Sequence, residues 1–172
     1  MAKRLGQKEI VGEINLLGGT AMVLAFQARQ STKDVDAIFA PTAEIRAAAK
    51  EVAADLGLPE DWLNDAAKGF VSDRAEFGVL RGVDFPHLRI LAPTPEYLLA
   101  MKVMASRAGL EGGRGDLHDI EFLLRLLGLR ATEDVMALVE RYYDPSQILP
   151  RSMFAVEEIL DRLQAERQGD EV

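Results

Sequence analysis

Residues 13–40 read EINLLGGTAMVLAFQARQSTKDVDAIFA, and the order of residue types in this stretch decides the fold. Glu13 to Leu17 reads as a short strand that stops at Gly18-Gly19. Thr20 to Ala28 reads as a helix, with Ala21, Leu24 and Ala25 on one side. Asp34 to Phe39 alternates: Asp34, Asp36 and Ile38 face one way, Val35, Ala37 and Phe39 the other. Strand, glycine turn, helix and a strand bearing two acids predict an α/β (α+β) core followed by a helical bundle.

Working outward, Pro41 ends the second strand and Thr42 is the expected N-cap of a helix to about Leu56, closed by Gly57. Pro59 is expected to open a short helix containing Trp62 and Leu63. Phe77 to Leu80 and Leu88 to Leu91 are candidate strands. From Thr94 onward the pattern is helical. Thr94-Pro95-Glu96 starts a helix running to about Arg107, and a loop from Gly109 to Gly115 follows. Asp116 to Leu127 carries an apolar stripe of Leu117, Ile120, Leu123, Leu124 and Leu127, ended by Gly128. Thr132 is the expected cap of a helix to Tyr143, and the last helix, from Ser152, places Met153, Val156, Leu160 and Leu163 on one face. The expected organisation is an α/β core over 1–92, a helical C-terminal part packed on it over 93–168, and a disordered tail over 169–172.

Composition narrows the function classes. Of the 172 residues, 48% are hydrophobic, enough for a real core. There is no cysteine, which excludes disulfides and thiolate metal sites. The formal net charge of -8 does not attract nucleic acid as a whole, so phosphate binding needs a local basic patch. Glu9, Glu13 and Asn15 interrupt the N-terminal segment, no signal peptide is read, and no stretch has the length of a membrane span; the expected setting is cytoplasmic, with no membrane partner. A P-loop and a Gly-x-Ser-x-Gly elbow are both missing, and His87 and His118 are far apart in sequence.

Two features carry chemistry. A double glycine between strand and helix lets backbone approach a ligand, and Thr20 adds a hydroxyl; the same Gly18-Gly19 also serves a tight turn for its own sake. Asp34 and Asp36 stand about 6.6 Å apart along one strand face and repel each other unless a cation lies between them. Magnesium, which takes hard oxygen ligands and bridges phosphates, is the natural candidate, manganese its substitute; the other reading is an acidic edge-strand face that blocks aggregation.

Taken together, Gly18-Gly19-Thr20-Ala21 and Arg29-Gln30-Ser31-Thr32-Lys33-Asp34-Val35-Asp36 resemble the first motif of the nucleotidyltransferase superfamily. In particular, they resemble the bacterial AbiEii/MenT toxin-type members and their uncharacterised single-domain relatives. Leu98 to Arg107 and Asp116-Leu117-His118-Asp119-Ile120 resemble the helical segment of that class, and Trp62-Leu63-Asn64-Asp65 resembles a segment common in the relatives. The resemblance implies a small mixed-sheet nucleotidyltransferase core followed by a C-terminal helical bundle. It implies transfer of a nucleoside monophosphate from an NTP to the end of a tRNA or to a protein, in a toxin–antitoxin setting with a cognate antitoxin as partner. Asp34 and Asp36 would hold Mg2+ or Mn2+ and be catalytic, together with Lys102 and Asp116. Gly18, Gly19, Thr20, Arg29 and Lys33 would bind the nucleotide, and Arg107 and Arg114 would add charge. By local pattern alone, Asp116 also fits an N-cap and Lys102 a solvated helix lysine. Two departures stand out. Many active members carry a third acid on a later strand, which Leu88-Arg89-Ile90-Leu91 lacks, with Asp84 just before it; and Gly115, where the relatives have Arg, precedes Asp116. The alternative to an enzyme is a non-catalytic, antitoxin-like module on the same fold.

Overall fold

Alternation along the strand at Gly12–Leu16 (β1) sets the two faces of the sheet. Ile14 and Leu16 are buried, while Glu13 and Asn15 are half-buried. β1 pairs antiparallel with Val35–Ala40 (β2) and parallel with Leu88–Pro93 (β5). Leu63–Asn64 (β3) adds parallel to β2, and Phe77–Val79 (β4) antiparallel to β5. The sheet is therefore mixed and five-stranded, in the order β3-β2-β1-β5-β4. The computed structural model describes residues 1–106 and 114–170, with the side chains of 114–116 and 169–170 outside that description. The chain divides into two units: Met1–Gly69 with Glu76–Thr94, and Phe70–Ala75 with the chain from Pro95 onward. The boundary thus falls two residues later than expected, and Phe70–Ala75, expected in the first part, groups with the helices.

In the sheet unit, register places Ile14 beside Phe39 of β2 and Ile90 of β5, so one face is apolar. The helices Ala2–Gln7 (α1) and Thr42–Leu56 (α3) supply Leu5 and Ile45, both buried, to this face. A Cβ at Gly12 would stand 2.9 Å from a Leu5 methyl and 3.0 Å from an Ile45 methyl, so a side chain there would have to displace both. The opposite face carries Glu13, Asn15, Asp36, Ile38 and Arg89, with Arg89 Nη1 3.3 Å from Glu13 Oε2.

The helix after β1 spans Gly18–Leu24 (α2), shorter than the expected Thr20 to Ala28, and both glycines lie in its first turn. Pro41 occupies the N-cap of α3; Thr42 is already helical, and its hydroxyl donates to the Phe39 carbonyl at 3.1 Å. Gly57 closes α3 in the left-handed conformation, φ +65°. The short helix expected after Pro59 is a turn leading into β3, which is held by pairing to β2.

In the helical unit, Pro95–Ala105 (α4) is central: Tyr97 through Val103 are all buried. It packs against Arg114–Leu127 (α5), Thr132–Tyr142 (α6) and Pro150–Asp170 (α7). Ile120, Leu123 and Leu124 of α5 are fully buried, each contributing about 1.5–3 kcal/mol by leaving water. On α7 the buried stripe is Ser152, Ala155, Val156, Ile159, Leu160 and Leu163; Met153, expected on it, is partly exposed. α6 begins at Thr132 with Ala131, not the expected Thr132, as N-cap. The expected loop over 109–115 and Arg107 fall largely outside the described residues, although Arg114 and Gly115 already belong to α5.

Phe70–Ala75 is strapped to these helices. The Ser72 N–H donates to Tyr97 Oη at 2.9 Å, Ser72 Oγ to the Tyr142 carbonyl, and Tyr143 Oη to the Phe70 carbonyl. Arg74 Nη1 donates to the Arg141 carbonyl at 3.3 Å, satisfying an end group of α6. Burial pushes both phenols above their ordinary range. For Tyr97 the Ser72 hydrogen bond opposes this in part; for Tyr143 the neighbouring Tyr97 reinforces it. No helix among the described residues is long and apolar enough to cross a membrane.

Candidate functional site

The site grows from the end of β1. Leu17 is extended, and its N–H donates to the Asp36 carbonyl at 2.8 Å, continuing the β1–β2 ladder by one residue. Gly18 then turns at φ +51°, a conformation costing an L-residue roughly 1–2 kcal/mol. A Cβ built on Gly18 would meet Asp36 Oδ2 at 2.8 Å, closer than a carbon and an oxygen can pack. Gly18 therefore serves its backbone conformation, and a side chain there would also push the Asp36 carboxylate from its place.

Gly19 has the same relation to the loop ahead of β2. Its Cβ would stand 2.9 Å from Thr32 Oγ1 and 3.4 Å from Arg29 Nη1. Thr20 is 2% exposed, and its hydroxyl donates to the Asp34 carbonyl at 3.0 Å. This hydroxyl, expected to add a donor after the glycines, braces the loop at Asp34. Asp34 lies one residue before β2 rather than within it, with an exposed side chain; Asp36 is half-buried, and Lys33 is exposed. The structure thus brings Gly18, Gly19, Thr20, Arg29, Asp34 and Asp36 to one corner of the sheet unit.

One member of this corner was not expected. Asn64 of β3 stands in register with Asp36, and its Nδ2 donates to Asp34 Oδ2 at 3.1 Å. Its neighbours fix it in place. The Val35 N–H donates to the Trp62 carbonyl at 2.7 Å, Trp62 Nε1 donates to the Ala49 carbonyl of α3 at 3.1 Å, and Arg46 Nη2 of α3 donates to Asp65 Oδ1 at 2.9 Å. The Trp-Leu-Asn-Asp segment was conspicuous in the sequence, but the strand pairing that gives it meaning is non-local.

The remaining expected residues lie in the helical unit. Lys102 is 8% exposed, and its Nζ lies 2.8 Å from Asp119 Oδ2, itself 1% exposed. This is a buried ion pair between α4 and α5, not a solvated lysine. Asp119 entered the sequence reading only as part of the Asp116-Leu117-His118-Asp119-Ile120 stretch. Its better signal was its place beside Ile120 and four residues before Leu123, on the buried stripe, where a carboxylate needs a cation. α5 begins at Arg114, so Asp116 lies within the first turn rather than capping it; its side chain is outside the described residues.

The donors at the sheet corner suit a hard divalent cation: two carboxylates in close succession, one with an oxygen already tied by an amide. No family model matches the chain, and no curated protein or solved structure matches it.

Proposed function

We propose that this chain is a metal-dependent nucleotidyltransferase whose nucleotide site is the sheet corner of Gly18, Gly19, Asp34 and Asp36. The observation that carries the reading is the seating of the Asp36 carboxylate on a left-handed Gly18, with Asp34 braced by Thr20 and Asn64. Such pre-fixed acids are what a cation bridging phosphates requires. Asp34 and Asp36 would hold Mg2+ or Mn2+, and one of them would accept the proton of the attacking hydroxyl. The bound ion supplies charge neutralisation on the phosphates. Arg29, beside Gly19, and the exposed Lys33 contribute local positive charge on a chain whose net charge is -8. The bare backbone at Gly18-Gly19 allows close approach of the phosphates. The acceptor is a tRNA end or a protein side chain, the setting a cytoplasmic toxin–antitoxin pair with a cognate antitoxin.

A second reading has one observation in its favour. β5 begins at Leu88 and carries no acid, and Asp84 lies four residues before it. A non-catalytic module that binds nucleotide without transferring it fits that strand. The discriminating experiment incubates the chain with Mn2+ or Mg2+, each α-labelled NTP and a tRNA pool. Label on RNA or protein that is lost in a folded Asp36→Ala variant supports the transferase. Nucleotide binding without label transfer supports the module.

A further inference from the structure

The Asn64 carboxamide is oriented by its surroundings. Its Oδ1 accepts the Ala66 N–H at 2.9 Å, closing an Asx-turn, which leaves Nδ2 as the group that meets Asp34 Oδ2 at 3.1 Å. The two halves of the amide therefore do separate jobs. The oxygen makes the turn after β3, which a serine hydroxyl also makes. The nitrogen is committed to a carboxylate that is exposed to solvent, where one hydrogen bond adds little to fold stability. What the contact does accomplish is geometric. Asp34 precedes the strand, so no ladder fixes its side chain, and the Nδ2 contact favours one orientation of its carboxylate. Asn64 also stands opposite Asp36 in the β2–β3 register. Its own position is rigid, because Trp62 is bonded to Ala49 and Asp65 to Arg46, both residues of α3.

We propose that Asn64 is a positioning residue for the acid pair: its carboxamide nitrogen holds the Asp34 carboxylate in the arrangement that receives the divalent cation. The proposal rests on the cation reading of Asp34 and Asp36. Partners that orient a metal-ligating carboxylate are worth roughly 10–100-fold in metal affinity.

The test is Mn2+ titration, followed by electron paramagnetic resonance, of the full chain and of Asn64→Ser and Asp34→Ala. Serine keeps an acceptor for the Ala66 N–H but cannot reach Asp34. The expected result is loss of binding in Asp34→Ala and an affinity at least about 10-fold weaker in Asn64→Ser, with the thermal midpoint of Asn64→Ser lowered by no more than roughly 2–4 °C. Wild-type affinity in Asn64→Ser beside impaired Asp34→Ala overturns the positioning role and leaves the site standing. Wild-type affinity in Asp34→Ala, or no Mn2+ binding by the wild type, removes the site itself and this proposal with it. A second measurement does not depend on a variant folding: the Asn64 side-chain amide signal of the wild type, followed by nuclear magnetic resonance. Mn2+ is expected to broaden it and Mg2+ to shift it, and an unchanged signal with both ions overturns the proposal.

Discussion

Replacing Gly18 by alanine separates two costs that the structure assigns to one residue. The first is conformational: φ is +51°, and an L-residue there loses roughly 1–2 kcal/mol. The second is steric, since the new Cβ would lie 2.8 Å from Asp36 Oδ2, and either the carboxylate leaves its rotamer or β2 shifts. Displacing one side chain off its rotamer adds about 0.5–1.5 kcal/mol. Gly57→Ala is the matched control, because Gly57 has φ +65° with nothing within 4 Å of its Cβ and so bears the first cost alone. At roughly 2–4 °C per kcal/mol for a chain of this length, Gly57→Ala is expected to lower the melting midpoint by about 2–8 °C, and Gly18→Ala by a few degrees more. The larger difference is expected in Mn2+ binding: unchanged in Gly57→Ala, and weakened about 10-fold or more in Gly18→Ala. Calorimetric melting and Mn2+ titration of the three proteins read both quantities. Gly18→Ala that matches Gly57→Ala in stability and binds Mn2+ like the wild type would refute the argument that Gly18 seats the Asp36 carboxylate.

Other consequences follow from the helical unit. Lys102→Met should cost about 3–5 kcal/mol in urea unfolding by removing the cation paired with the buried Asp119 carboxylate, and adding Asp119→Leu should recover most of it. No recovery in the double variant would mean that the pair is more than a charge match. Tyr97 and Tyr143 stay protonated in the folded chain beyond the ordinary phenol value of about 10. As pH rises through that value the unfolded chain gives up these protons while the folded chain keeps them, so the stability present below pH ~10 declines above it. A Tyr97→Phe/Tyr143→Phe variant should show a shallower alkaline decline in denaturant midpoint, and an equal decline would assign the loss to other groups.

The parts of the fold that the sequence disclosed are those set by local pattern. β1, β2, β5 and the helical half follow from alternation, from apolar stripes such as Ile120, Leu123 and Leu124, and from stops at Gly57 and Gly128. Where neighbours in space decide, local pattern misled. Pro59 with Trp62 and Leu63 carries helix-start chemistry, yet a two-residue strand forms because β2 offers it a partner and Trp62 is anchored on α3. Thr42 and Thr132 sit one residue inside their helices because the extended residues before them, Pro41 and Ala131, take the N-caps. Met153 fell off the buried stripe of α7 because that stripe centres on Ser152, Ile159 and Leu163, which leaves Met153 at its rim. At the site, the glycines and acids were legible because strand, turn and strand bring them together along the chain. The Asn64–Asp34 contact and the Lys102–Asp119 pair join distant segments, and no local period announces them. The bond from the Thr20 hydroxyl to the Asp34 carbonyl was not legible either, because it depends on where that carbonyl points.

The most direct test of the account is titration of Mg2+–NTP into the wild type, Asp34→Ala and Asp36→Ala, read by calorimetry and by the fluorescence of the single tryptophan, Trp62. Trp62 lies next to β3, and its carbonyl accepts the N–H of Val35, between the two acids. The account expects metal-dependent nucleotide binding with a change in Trp62 emission in the wild type, and loss of both in each folded variant. Nucleotide binding that survives in either folded variant, or that proceeds equally well without the metal, would contradict it.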